Sequence, residues 1–139
     1  MRAGILCLYT LFLLITAAAH GQKPDADPIG PNFFAPDIVM QHQEALGLTE
    51  DQKTYFKAEI HQSQLKFMDW QWKLQEEMEK LVALVRQPRV EEKDTLAQLE
   101  KILAIEREVK REQVTLLVRI KNKLTPDQQT RLVKLRSGS

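Results

Sequence analysis

The chain contains very little of the chemistry that most enzymes and metal sites need. Its one cysteine, Cys7, lies in an apolar N-terminal stretch, and only three histidines occur among 139 residues. No glycine-rich phosphate-binding loop is present. The many carboxylates alternate with Lys and Arg at helical spacing, which is typical of solvated helix faces. We therefore expect no enzyme, no cofactor and no fold that depends on disulfides.

Glycine and proline are almost absent from the long central part of the chain. No glycine occurs between Gly47 and Gly138, and only Pro88 and Pro126 interrupt that stretch. Tight β-hairpin turns therefore have little support. From Phe56 onward, apolar residues recur at separations of three, four or seven positions, which is the spacing of one helix face. These patterns predict an all-α fold with a short helix, a long antiparallel helical hairpin and a short C-terminal helix.

The same patterns give expected helix boundaries. We predict helices over residues 36–46, 50–86, 90–123 and 126–136, with Gly47 in the left-handed conformation that commonly ends a helix. The segment Gln87-Pro88-Arg89 is predicted to break the long hairpin into its two arms.

The first 21 residues have the composition of an export signal. Arg2 forms a short basic region, residues 5–19 are almost wholly apolar, and Ala19 and Gly21 are small residues at the positions that a signal peptidase reads. The apolar run is shorter than the roughly 20 residues of a membrane-spanning helix. We expect cleavage and a periplasmic location in a Gram-negative-type envelope, without stable membrane insertion after cleavage. A retained anchor is the less favoured alternative.

Cleavage would leave one domain preceded by a leader. Residues 22–35, rich in proline and aspartate, are predicted to be a flexible leader, and residues 36–139 a single helical domain. Phe33 and Phe34 either dock on the helices or contribute to an exposed binding surface. Removal of residues 1–21 takes away Arg2 and no acid, so the 20 basic and 19 acidic residues become 19 of each. A neutral chain gives no overall field that favours nucleic acid or a membrane surface.

One phrase of five residues occurs twice, as Leu48-Thr49-Glu50-Asp51-Gln52 and as Leu124-Thr125-Pro126-Asp127-Gln128. In each copy the threonine hydroxyl can accept a hydrogen bond from the first turn of a helix. The glutamine three residues later can reach back to the backbone N–H of the threonine. Acidic residues suit the positive end of the helix dipole, and proline is tolerated at the first helical position. The residues predicted to form these two capping motifs are Leu48, Thr49, Gln52, Leu124, Thr125 and Gln128.

A repeated Leu-Thr-x-x-Gln phrase in a small exported helical protein resembles the LTxxQ-motif family, which includes the Spy- and CpxP-like periplasmic proteins. The resemblance covers roughly residues 36–136, although only the two phrases match closely. It implies a thin hairpin that dimerises antiparallel into a cradle and binds unfolded or partly folded proteins without ATP. In CpxP-like relatives the scaffold also binds the periplasmic domain of a sensor kinase. The wide apolar stripe itself favours a homodimer, because so much apolar surface is rarely left in water.

Large and adaptable apolar residues cluster in the middle of the second predicted helix. Methionine and aromatic side chains suit promiscuous surfaces, although many must instead form the hairpin core. Residues two apart lie about 200° apart around a helix, so only one of the two tryptophans can face the seam. The candidates for a client-binding or dimer surface are Phe67, Met68, Trp70, Trp72 and Met78.

Metal binding is the main alternative function. The resemblance extends to periplasmic metal sensors, which carry an HxxxH pair before the first Leu-Thr-x-x-Gln. Here that region reads Val39-Met40-Gln41-His42-Gln43, with one histidine and no partner four residues away. Met40, His42 and His61 remain as weak candidates for a soft ion. We therefore favour an exported chaperone or stress-response protein over a metal-binding or metal-sensing protein. A purely structural helical adaptor is the third hypothesis.

Overall fold

The computed structural model of the chain describes residues 30–137. Within this range the chain forms a 3₁₀ turn, Gly30–Asn32, followed by four α-helices and no strand. The helices are α1 (Pro36–Gln41), α2 (Glu50–Val85), α3 (Glu92–Lys123) and α4 (Pro126–Arg136). The predicted all-α fold with a long α2–α3 hairpin is confirmed. The expected signal, residues 1–21, and residues 22–29 of the expected leader lie outside the described residues.

The first helix is shorter than its sequence pattern suggested. α1 ends at Gln41 rather than Leu46, and residues 42–47 form turns. Gly47 has a φ of 61°, and its N–H donates to the carbonyl oxygen of Glu44 at 3.0 Å. This bond closes the segment in the way that a left-handed glycine closes a helix end. The glycine therefore has its expected conformation, at the end of a turn rather than of a continuous helix.

The long hairpin turns within a few residues of its proline. α2 ends at Val85 instead of the expected residue 86, and α3 begins at Glu92 instead of the expected residue 90. Pro88 explains the break, because proline lacks a backbone donor and disfavours a helical residue before it. α2 has 36 residues, which corresponds to about 54 Å of helix at 1.5 Å per residue. No helix in residues 30–137 is both long and apolar enough to span a bilayer.

The hydrophobic core lies at one end of the hairpin, which we call the base. There α1 and α4 cover the beginning of α2 and the end of α3, and the opposite end, residues 86–91, is called the tip. Phe56 and Ile120 are completely buried at the base. Towards the tip, α2 and α3 pack only against each other among residues 30–137, so their outward faces stay exposed there. The buried core residues of the base are Phe34, Val39, Leu46, Leu48, Phe56, Leu116, Ile120, Leu124 and Leu132.

The end of the expected leader is part of this packed base. Phe34 is buried in the core. The Lys121 ammonium donates to the carbonyl oxygen of Asn32 at 2.8 Å, and the Arg136 guanidinium donates to that of Pro31 at 2.8 Å. Phe34 therefore docks on the helices and does not contribute to an exposed binding surface, which was the other alternative for this phenylalanine pair. These contacts hold residues 31–34 of the expected leader against α3 and α4.

Candidate functional site

Each Leu-Thr-x-x-Gln phrase forms a capping box at the base. The Thr49 hydroxyl accepts from the Gln52 N–H at 3.2 Å, and the Gln52 side-chain oxygen accepts from the Thr49 N–H at 3.1 Å. The second copy repeats this arrangement, with Thr125 and Gln128 at 3.2 and 2.9 Å. Each box satisfies two backbone donors near a helix start that have no partner within the helix.

The two glutamines also bind each other across the base. The Gln52 amide donates to Gln128 Oε1 at 2.8 Å, and the Gln128 amide donates to Gln52 Oε1 at 3.0 Å. Each amide also donates to a backbone carbonyl just before the other phrase, Gln52 to Lys123 at 2.9 Å and Gln128 to Leu46 at 3.5 Å. Both glutamines are 7% exposed. The pair therefore joins the starts of α2 and α4 through fully used amides.

The leucines of the two phrases complete this arrangement. Leu48 and Leu124 are both buried and belong to the same core cluster as Phe56. Each phrase thus supplies a leucine that is buried in the core, a threonine that caps a helix and a glutamine whose amide binds the other phrase across the base. Sequence reasoning found the caps, because they are local, but it missed the contact between copies. The glutamine at the same position of both phrases is the sequence feature from which that contact could have been predicted.

A row of polar contacts crosses the seam between α2 and α3. Near the base, Arg119 donates to Glu59 at 2.8 Å. Farther along, Glu112 accepts from the Ser63 hydroxyl at 2.7 Å and from the Lys66 ammonium at 3.0 Å. These contacts fix how the two helices align, because a shift along the axis would leave buried groups unpaired. They were not predicted from the sequence.

The carboxyl group of Glu112 is the most enclosed ionisable group of this seam, with the residue 9% exposed. Its burial opposes ionisation, but the hydrogen bonds from Ser63 and Lys66 outweigh that effect and lower the pKa of Glu112 below its usual value. The positive charges of Lys66 and Arg119 act in the same direction. Glu112 is therefore held in its charged form.

The five residues proposed as a client or dimer surface occupy two sides of α2. Trp72 is 67% exposed and Met68 is 52% exposed, whereas Phe67, Trp70 and Met78 are half-buried. The rings of Phe67 and Trp70 lie 6.0 Å apart with a tilted geometry. Trp72 is thus the tryptophan that is turned towards solvent.

Leu65 extends the exposed side. It is 51% exposed and precedes Met68 and Trp72 by three and seven residues, which places all three on one helix face. We call these three residues the α2 outer face. Lys73, Gln75, Glu76 and Glu79 line a shallow depression of about 310 Å³ beside Trp72. Sequence reasoning missed Leu65, although helical spacing from Trp72 could have identified it.

The weak metal candidates have different surroundings. Met40 is partly buried against the core of the base, and His42 is half-buried in the turn after α1. His61 is exposed on α2. In the part of the chain that the structure covers, no three or more His, Cys, Asp or Glu side chains form a group that could hold a metal ion.

Together these features define a class of small all-helical protein built on one long hairpin, with paired capping boxes at its base and uncovered apolar faces along its arms. Within that class, the sequence profile of the heavy-metal resistance family matches residues 5–131, and the chain belongs to this family. The family is related to the Spy/CpxP-like periplasmic proteins. No curated protein and no solved structure matches the chain.

The pairing of the two capping boxes can be measured with a double-mutant cycle. Gln52→Leu and Gln128→Leu should each lower the free energy of unfolding by about 1–3 kcal/mol, because each leaves buried partners unsatisfied. The double variant should lose less than the sum by about 0.5–3 kcal/mol. Urea denaturation followed by circular dichroism checks both values. The exposed Gln113→Leu is the matched control, and strictly additive losses would contradict the pairing.

Protonation of Glu112 in the seam should lower the stability of the folded protein at acid pH. Because the pKa of Glu112 is lower in the folded protein, its contribution is complete above the unfolded-chain value of about 4.3 and is lost as pH falls through the folded-state pKa. Glu112→Gln should therefore be less stable than wild type at pH 7, with the difference narrowing as the pH falls. Denaturation at a series of pH values tests this, with the exposed Glu106→Gln as control. A constant difference at all pH values would contradict the role of the charge.

Proposed function

We propose that the protein is an exported, ATP-independent chaperone or envelope-stress-response protein that works in the periplasm on unfolded or partly folded proteins. The observation that carries this proposal is the α2 outer face. Leu65, Met68 and Trp72 are each more than half exposed on a rigid helix, in a chain that buries its core at the base. A soluble surface rarely leaves such residues together unless they contact a partner.

The chemistry of this face suits clients without a fixed shape. Covering exposed apolar surface gains about 25 cal/mol per Å² without requiring directional contacts. Methionine adapts to irregular partners, and tryptophan offers a large contact area. Charged side chains flank the face, including the ion pair of Lys73 with Asp69 at 2.7 Å. Such charges accelerate the first encounter with a client and can release it again, since exposed pairs are weak.

A second copy of the chain is the partner that we propose for other parts of the hairpin. α3 carries its own exposed apolar residues on the side away from the seam, among them Leu96, Leu103, Val114 and Val118. Their separations of seven, eleven and four residues keep them on one face. A homodimer would cover part of this area and leave the remainder for clients. The periplasmic domain of a sensor kinase is a further partner class that the resemblance implies.

Metal binding is the second candidate, and the family match favours it. The heavy-metal resistance family profile matches residues 5–131. Against this candidate stand the single histidine in residues 39–43, before the first Leu-Thr-x-x-Gln phrase, and the different surroundings of Met40, His42 and His61. The chaperone proposal instead places the activity in the exposed apolar faces of the hairpin.

An aggregation assay tests the proposed function. The purified protein should suppress aggregation of a chemically denatured or reduced client at near-stoichiometric ratio without nucleotide. Replacing Leu65, Met68 and Trp72 together by glutamine should weaken suppression several-fold, because the outer face loses its apolar area while helix propensity is kept. The same change at Val85 and Val90, which are exposed near the tip and belong to neither proposed face, is the matched control. Absence of suppression by the wild type at several-fold excess would overturn the proposal.

A titration separates the second candidate from the first. A metal-binding protein should take up zinc, copper, nickel or cobalt with micromolar or tighter affinity and lose that affinity in His42→Ala. Under the chaperone proposal, we expect no binding of this strength by isothermal titration calorimetry and the same aggregation suppression by wild type and His42→Ala. Tight binding combined with failure in the aggregation assay would establish the alternative.

A further inference from the structure

The charges of this nearly neutral chain are unevenly distributed along the hairpin. Residues 119–136, at the base, contain six basic residues and one acidic residue, Asp127, whereas residues 76–108, towards the tip, contain nine acidic and six basic residues. In a chain whose charges nearly cancel in total, the end of α3 and α4 therefore carry a local positive excess, and the region towards the tip carries a negative one. A local excess of this kind produces a field at the surface even when the net charge is close to zero.

Five of the six basic residues in residues 119–136 also lack carboxylate partners, the exception being Arg119, which pairs with Glu59. Four of the five lysines of α2 form ion pairs, for example Lys66 with Glu112 and Lys80 with Glu76. At the base, Lys121 and Arg136 instead donate to backbone carbonyls, and Lys123 lies over the ring of Tyr55 at 4.9 Å. We call five residues the basic end patch, none of which pairs with a carboxylate among residues 30–137: Lys121, Lys123, Arg131, Lys134 and Arg136.

Apolar surface lies within this patch. On α4, Val133 is 46% exposed and falls between Lys134 and Arg136 around the helix, at 100° per residue. Beside Arg136 opens a cleft of about 260 Å³ with mainly apolar walls, which include Phe33, Ile38 and Leu132. Cations that border apolar surface complement a partner with an anionic head and an apolar body.

The route of the chain points to the same partner. Residues 1–29 enter the folded unit at Gly30, which lines the cleft beside Arg136. Residues 5–19 are almost wholly apolar, and the ten residues 20–29 can span at most about 35 Å. Whenever the apolar run occupies a bilayer, as an uncleaved signal or a retained anchor, Gly30 is held within about that distance of the lipid phosphates, and Arg136 of the basic end patch lines the same cleft as Gly30.

We propose that the basic end patch docks the base of the hairpin on a membrane surface rich in anionic phospholipid, with the lipid phosphates contacting Arg131, Lys134 and their neighbours. Docking of this kind is peripheral, because each basic residue near an anionic surface contributes modestly and the contributions add. It leaves the α2 outer face, which lies farther along the hairpin, open to clients. The inference does not depend on the proposed chaperone activity.

Vesicle flotation with the full chain tests the docking surface. Wild type should bind vesicles of phosphatidylcholine with phosphatidylglycerol more tightly than vesicles of phosphatidylcholine alone. Arg131→Glu with Lys134→Glu should weaken binding to the anionic vesicles at least about tenfold. The matched control, Lys93→Glu with Lys101→Glu, changes the net charge equally but lies towards the tip, and it should bind like wild type. Equal losses in both variants would overturn the proposal.

Lysine footprinting keeps the test decisive if the apolar run inserts and all variants float. Anionic vesicles should lower acetylation of Lys134 several-fold and leave Lys93 unchanged, as measured by mass spectrometry, and salt well above about 0.15 M should restore the reaction at Lys134. Equal protection of both lysines would contradict docking through the base. If a DNA duplex protects Lys134 from acetylation as strongly as the vesicles do, a surface specific for membranes is excluded. Circular dichroism establishes that the variants are folded.

Discussion

The reciprocal hydrogen bonds between Gln52 and Gln128 are the interaction on which the rest of the structure depends. They connect the start of α2 to the start of α4, through amides that also cap both helices. Because these amides are buried, each contact that they lose would leave a costly unsatisfied group. The base therefore closes in one arrangement, and the apolar core residues around Phe56 and Ile120 pack inside it.

The organisation of the base determines what the rest of the hairpin can do. With the core concentrated at one end, the arms extend beyond the reach of α1 and α4, and their alignment rests on polar contacts such as those of Glu112 with Ser63 and Lys66. Polar contacts specify the seam without covering the outer faces. Leu65, Met68 and Trp72 therefore remain available for a partner, whether a client protein or a second copy of the chain.

The balance of charge is a second consequence of how the chain folds back on itself. By total count the chain is nearly neutral, which gave no reason to expect an electrostatic partner. The C-terminal part of α3 and all of α4 nevertheless meet at the base, and apart from Arg119 their cations border carbonyls, aromatic rings and solvent rather than carboxylates. The net charge of the chain does not reveal this local positive excess, because the strength of an electric field depends on the distances between the charges.

The sequence by itself determined the helices, their approximate ends and the two capping boxes, since these depend on residues within four positions of one another. It did not determine that residues 42–47 form turns, that Phe34 docks in the core, or that Glu112 is buried beside Ser63. Those features, the Gln52–Gln128 contact and the exposure of Trp72 rather than Trp70 were decided by tertiary structure. The contacts of Phe34, of Glu112 and of the two glutamines join residues far apart in sequence, where packing and desolvation select the partner of each side chain.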